Sequence, residues 1–141
     1  MRVFLAPTCA AAVLAAVSSL PAMAAPPVPT CNGVSATIVG TPGDDHLHGT
    51  SGDDVIVGKG GNDKIDGGRG NDTICAGAGK DELKGGDGND WINAGDGNNT
   101  VEGRDGNDTI SAGSGDDTIN GGKGKNTCNA DGGKNSLKNC K

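Results

Sequence analysis

From Gly40 to Lys138 one apolar side chain recurs every nine residues. The positions are Leu47, Ile56, Ile65, Ile74, Leu83, Ile92, Val101, Ile110, Ile119, Cys128 and Leu137. Between them the chain is mostly polar or glycine. A nine-residue spacing matches neither the helical period nor the alternation of a simple strand. A fixed short period instead marks a solenoid, in which each unit buries its one apolar residue against neighbouring coils. Eleven units follow one another without an insertion. They run from GTPGDDHLH (40–48) and GTSGDDVIV (49–57) to GGKGKNTCN (121–129) and ADGGKNSLK (130–138). Residues 31–39, CNGVSATIV, form a degenerate leading unit with Ile38 in the apolar slot.

Three columns define the unit. Its fourth position is Gly in all eleven copies, and its sixth is Asp in eight and Asn in three. Its eighth is the apolar column, mostly β-branched. Positions seven to nine therefore read as a short strand with the middle residue inward. Positions one to six, rich in Gly, Asp and Asn, read as a turn that needs positive φ. Strand, turn, strand and turn then make one coil of eighteen residues, with alternate units stacked in the same sheet. Ala76, Ala94, Ala112 and Ala130 replace the first Gly in odd-numbered units only, whereas Gly49, Gly67, Gly85, Gly103 and Gly121 keep it in the even ones. This agrees with two alternating faces. The expected fold is all-β, a parallel β-roll with two short strands per coil.

Composition sharpens this picture. The chain has 27 Gly but a single Trp and a single Phe among 141 residues. Large side chains supply most buried area in a mixed core, so an ordinary globular core is excluded. The formal charge of −6 argues against nucleic acid or an anionic membrane as partner and favours cations. Stacking would set the sixth-position carboxylates in two columns, where like charges repel. A hard divalent cation relieves that repulsion. Calcium takes carboxylate and carbonyl oxygens in flexible geometry, and a Gly-rich turn leaves its carbonyls open. Magnesium would hold its waters, and transition metals would want His or Cys in the column.

The units resemble the repeats-in-toxin, or haemolysin-type, calcium-binding nonapeptide G-G-x-G-x-D-x-U-x. The resemblance spans residues 40–138. It implies a right-handed parallel β-roll that binds calcium between turns on the same side. The ligands it implies are Asp45, Asp54, Asp63, Asp72, Asp81, Asp90, Asp108 and Asp117. Five two-Asp sites are expected, at Asp54/Asp72, Asp72/Asp90, Asp90/Asp108, Asp45/Asp63 and Asp63/Asp81. Pairs that include Asn99 or Asn126 carry less charge and should bind more weakly. Fifth-position Asp and Asn are expected to brace turns. Lys125-Asn126 and Lys134-Asn135 replace the metal column near the end, so residues 121–141 read as a metal-poor cap after a calcium-binding roll over 40–120.

The first residues have the marks of a signal peptide. Arg2 precedes an apolar run from Ala10 to Leu20 and a small-residue site at Ala22 and Ala24, which sets residues 1–24 as the leader. Residues 25–39 read as a linker and N-terminal cap. Cleavage would leave Cys31, Cys75, Cys128 and Cys140, an even set that fits two disulfides in an exported chain. Three pairings are possible. Cys31–Cys75 with Cys128–Cys140 is favoured, because the others bridge distant ends of an elongated structure. The expected protein is extracellular and monomeric, without a membrane span. Neither H-E-x-x-H nor G-x-S-x-G occurs, and the expectation is a calcium-dependent structural or binding protein rather than an enzyme. The alternative is an accessory module of a secreted enzyme or toxin, or an adhesive matrix protein. His46 and His48 give two ligands, too few for a good zinc site. Trp91 should point outward as a solitary aromatic.

Overall fold

The computed structural model describes residues 25–141. The leader expected over 1–24 lies outside the described residues. The described chain is all-β. A small antiparallel hairpin comes first, from β1 (Thr30–Cys31) and β2 (Val34–Ser35). The solenoid strands then follow in chain order. They are β3 (Ile38–Val39), β4 (His46–His48), β5 (Val55–Gly60), β6 (Lys64–Arg69), β7 (Thr73–Ala78) and β8 (Glu82–Asp87). The later ones are β9 (Trp91–Asp96), β10 (Thr100–Asp105), β11 (Thr109–Ala112), β12 (Thr118–Asn120), β13 (Thr127–Ala130) and β14 (Ser136–Lys138).

Odd and even strands separate into two parallel sheets of six, ordered β3-β5-β7-β9-β11-β13 and β4-β6-β8-β10-β12-β14. Register advances by one coil of 18 residues at each step, as in Ile56↔Ile74 and Leu83↔Val101. The eighth-position residues therefore form two facing ladders, with Ile56, Ile65, Ile74, Leu83, Ile92, Val101, Ile110 and Ile119 at most 1 % exposed. One branched side chain per half-coil fills the narrow space between the sheets.

The strands are longer than the sequence pattern implies. In the central coils they run six residues, from position seven of one unit to position three of the next. The turn shrinks to positions four to six. The reason lies at position one, which also points inward: Ala76, Ala94 and Ala112 are fully buried. All four first-position Ala residues fall in the odd sheet, as the alternation in sequence implies. From the third unit onward the fourth-position Gly has a steric cause. Gly97 has φ +122°, and a Cβ there would run into the carbonyl oxygen of Gly79 one coil earlier.

Disulfides join Cys31 to Cys75 and Cys128 to Cys140, the favoured pairing. The first fastens the β1–β2 hairpin over β5 and β7, while Ile38 enters the solenoid as the first rung of the odd sheet. The second places Cys128 and Cys140 against the last core residues. The even sheet ends with Leu137 46 % exposed. No helix among the described residues is long and apolar enough to cross a membrane.

Candidate metal centre

Each turn ends on its sixth-position residue, whose side chain folds back under the turn. Asp63, Asp72, Asp81, Asp90, Asp108 and Asp117 are at most 2 % exposed, Asp54 slightly more, and Asp45 is half-buried in the first coil. The eight carboxylates predicted as ligands thus lie on the inner rims of two columns. The odd column holds Asp45, Asp63, Asp81 and Asp117, and the even one Asp54, Asp72, Asp90 and Asp108.

One oxygen of each side chain from the second coil onward is fixed. It accepts the backbone N–H of the sixth-position residue one coil earlier. Asp45 donates to Asp63 Oδ1 at 2.9 Å, Asp63 to Asp81 at 2.8 Å, and Asp81 to Asn99 at 3.0 Å. Asn99 donates in turn to Asp117 at 2.9 Å. On the even rim Asp54 donates to Asp72 at 2.8 Å, Asp72 to Asp90 at 2.9 Å and Asp90 to Asp108 at 3.0 Å. Each expected two-Asp pair is therefore a pair of consecutive rungs on one hydrogen-bonded ladder.

The second oxygen decides the chemistry. Oδ2 of Asp63, Asp72, Asp81, Asp90, Asp108 and Asp117 is buried with no hydrogen-bond partner among the described residues. An unsatisfied buried acceptor costs about 1–3 kcal/mol, and more if charged. Burial accordingly pushes the Asp63, Asp72, Asp81, Asp90 and Asp108 carboxyls up from their usual range. The N–H from the preceding coil opposes the rise, and neighbouring carboxylates add to it. Asp90 reaches about 7, with Asp108 and Asp72 contributing after burial.

The N-terminal rungs differ. Thr41 N–H and Oγ1 donate to Asp45 Oδ2 at 2.6 and 3.0 Å, and Thr50 does the same to Asp54 at 2.6 and 2.9 Å. Burial raises Asp54, but the Thr50 and Thr37 hydrogen bonds outweigh it, and the carboxyl ends below its ordinary value. Sequence reasoning missed this division. The signal was present: the second position is Thr only in the first two units.

The orphaned oxygens need a positive partner, and the first position of the unit leaves no space beside them for a side chain. At first-position Gly67, Gly85 and Gly103, a Cβ would collide with Oδ2 of Asp72, Asp90 and Asp108. Asn99 shows what the slot accepts. Its Nδ2 donates to the carbonyls of Gly95 and Gly97, at 3.3 and 3.1 Å. Around Asn99, positions two and four of the unit thus present carbonyl oxygens toward the sixth-position side chain. No three His, Cys, Asp or Glu side chains among the described residues converge on one point. A cation bound here must take backbone oxygens, which suits calcium and not zinc or copper.

Three other features stand apart from these columns. Fifth-position residues are exposed and brace the next coil, with Asp44 Oδ1 accepting from Asn62 N–H at 2.7 Å and Asn89 Oδ1 from Asn107 N–H at 2.8 Å. Lys80 interrupts this ladder, since an ammonium cannot accept. His46 and His48 face outward beside Lys64, Asp66, Glu82 and Lys84. Glu82 there is engaged by Lys64 and Lys84 at 3.7 and 3.5 Å. Trp91 faces outward and half-buried, in register with Thr73 and Thr109.

The model of the RTX calcium-binding nonapeptide repeat matches in four copies, over residues 39–74, 66–101, 76–110 and 102–137. The chain belongs to the RTX calcium-binding repeat family. No curated protein and no solved structure matches it. The RTX repeats and the parallel solenoid together make this chain a calcium-binding β-roll. The family match covers both columns, and every unsatisfied oxygen falls on a sixth-position Asp of the repeat.

Proposed function

We propose that this RTX roll is an exported protein that sets into rigid form on meeting calcium and serves a structural or binding role outside the cell. The six orphaned, buried Oδ2 atoms carry this reading. They make the metal-free roll electrostatically incomplete along most of its length. Calcium supplies the missing positive charge and tolerates mixed carboxylate and carbonyl ligation. Asp63, Asp72, Asp81, Asp90, Asp108 and Asp117 are the primary holders. Asp45 and Asp54 complete the first rung of each column. The backbone N–H ladder positions every carboxylate in advance, so ligand and turn order together. Metal affinity is then felt as folding free energy. Export is supported by two disulfides, which persist in oxidising compartments, and by the leader pattern of residues 1–24. The acidic surface and the absence of a catalytic motif support a monomeric, non-enzymatic role.

Calcium titration of the purified protein tests the reading, followed by far-UV circular dichroism and Trp91 fluorescence, with magnesium as control. The expected result is a cooperative gain of β-structure with a midpoint on the order of 0.1–1 mM calcium, typical of extracellular modules. Magnesium should do far less. A spectrum indifferent to calcium up to about 10 mM, with no heat of binding, would overturn the proposal.

A further inference from the structure

Between the carboxylates of the odd column lies one interior rung that closes without metal. Asn99 sits between Asp81 and Asp117 and is 1 % exposed. Its Oδ1 accepts from Asp81 N–H, as each carboxylate in the ladder does from its predecessor. Its Nδ2, however, fills the place where the neighbouring aspartates leave Oδ2 bare, and donates to Gly95 and Gly97 carbonyls. Both hydrogens of the amide are therefore used, and no polar atom of the side chain is left unpaired in that rung. The backbone around it stays in the same region, for Gly95 and Gly97 keep the positive φ of their counterparts Gly77 and Gly79.

We propose that Asn99 is a built-in substitute for a calcium ion: its amide performs within one turn the cross-linking that a cation performs in the aspartate turns. The inference rests on the calcium reading of the columns. It has two consequences. The odd column is divided, leaving Asp45, Asp63 and Asp81 on one side and Asp117 alone on the other. The even column runs unbroken from Asp54 to Asp108. Asn99 also supplies a central rung that stays ordered when calcium is scarce, from which the flanking turns can close as metal arrives. Asn126 extends the same device toward the C-terminus. Its Nδ2 donates to the Asn139 carbonyl at 3.2 Å while Oδ1 accepts from Asp108 at 2.9 Å.

A reciprocal pair of substitutions in the full, disulfide-bonded chain tests this. Asn99→Asp replaces the amide by a carboxylate. Asp90→Asn installs an amide in the even column, where Gly86 and Gly88 occupy the places of Gly95 and Gly97. Calcium stoichiometry is read by isothermal titration calorimetry, and amide exchange by mass spectrometry in calcium-free buffer. Asn99→Asp should bind at least one more calcium than the parent. Exchange at residues 95–99 without metal should quicken about fivefold, the worth of a hydrogen bond. Asp90→Asn should bind fewer ions and protect residues 86–90 without metal by a similar factor. A parent that binds no calcium overturns the calcium reading and this inference with it. A parent that binds calcium, with both variants unchanged in stoichiometry and exchange, overturns the role of Asn99 alone. Should Asn99→Asp fail to fold, Asp90→Asn decides by the same two readouts.

Discussion

Ile92→Ala is the sharpest test of what holds the roll. Ile92 lies on β9 between Ile74 and Ile110 and is fully buried. The substitution removes three carbons, worth about 2.4 kcal/mol at about 0.8 kcal/mol per methylene. The space left cannot close easily, because the parallel ladders hold successive coils about 4.8 Å apart. A persistent cavity brings the expected loss to about 3–4 kcal/mol. Leu137→Ala removes the same number of carbons at the open end, where the side chain is already 46 % exposed. Its expected loss is about 1 kcal/mol. Urea unfolding at saturating calcium measures both, provided the slope m stays constant so that the midpoint shift reports stability. A central cavity in a solenoid can also uncouple the two halves, which would appear as a second transition. Equal losses at the two sites, or a loss below about 1 kcal/mol for Ile92→Ala, would refute the idea that the inner ladder carries the fold.

Two further outcomes follow from local structure. Lys59 holds φ +86° at a second position where Gly68, Gly77 and Gly86 do so without strain; Lys59→Gly should raise stability by about 1 kcal/mol, read as a higher melting temperature, and a lower one would count against the strain. The pH dependence of the calcium-free roll is set by carboxyls raised by burial, with Asp90 at about 7. Their folded values exceed the unfolded ones, so the folded state binds more protons between them, and stability falls as pH rises from about 4 to about 7. Calcium-stripped protein should therefore melt higher at pH 5 than at pH 8, and calcium should reverse that order; a metal-free melting temperature higher at pH 8 would contradict the burial of these groups. Asp54 has the opposite sign, but its contribution is lost only below its unfolded value and lies outside this range.

The coil, its two sheets and the inward column were legible in the sequence because a solenoid repeats one decision many times. Ile56, Ile74 and Ile92 had to share a face once the period was known. The disulfide pairing followed from the same elongation. The strand length was not legible. Gly at position one reads as turn chemistry, and only the three-dimensional path shows that Gly67 and Ala76 continue the strand inward. The distribution of hydrogen bonds within the aspartate column was also hidden. Spacing puts Asp54 and Asp72 in equivalent places, yet Thr50 satisfies one and nothing among the described residues satisfies the other's Oδ2. The difference lies at the second position of the unit, where Thr50 turns both its backbone N–H and its hydroxyl onto Asp54 while Gly68 takes a positive φ, and no periodicity argument weighs it. Asn99 likewise reads as a weakened ligand in sequence, whereas its amide hydrogens have definite acceptors in space.

These exceptions fall in an order that the physics of a solenoid explains. Each coil is supported only by its neighbours, so end coils have half the support of central ones and open first. A carboxylate column at an open end would lose its partner coil and its metal together. At the N-terminal end Thr41 and Thr50 satisfy Asp45 and Asp54 from within their own turns, and Cys31 ties the hairpin down onto β7. At the C-terminal end Asn126 and Asn135 replace the carboxylates, and Cys128–Cys140 closes the last coil. The six bare oxygens lie between, from Asp63 to Asp117. On the proposed reading, metal dependence is confined to coils that have neighbours on both sides, where binding at one rung would order the next through the Oδ1 ladder. On that reading, the same ladder that leaves Oδ2 unsatisfied would let adjacent rungs respond to calcium together.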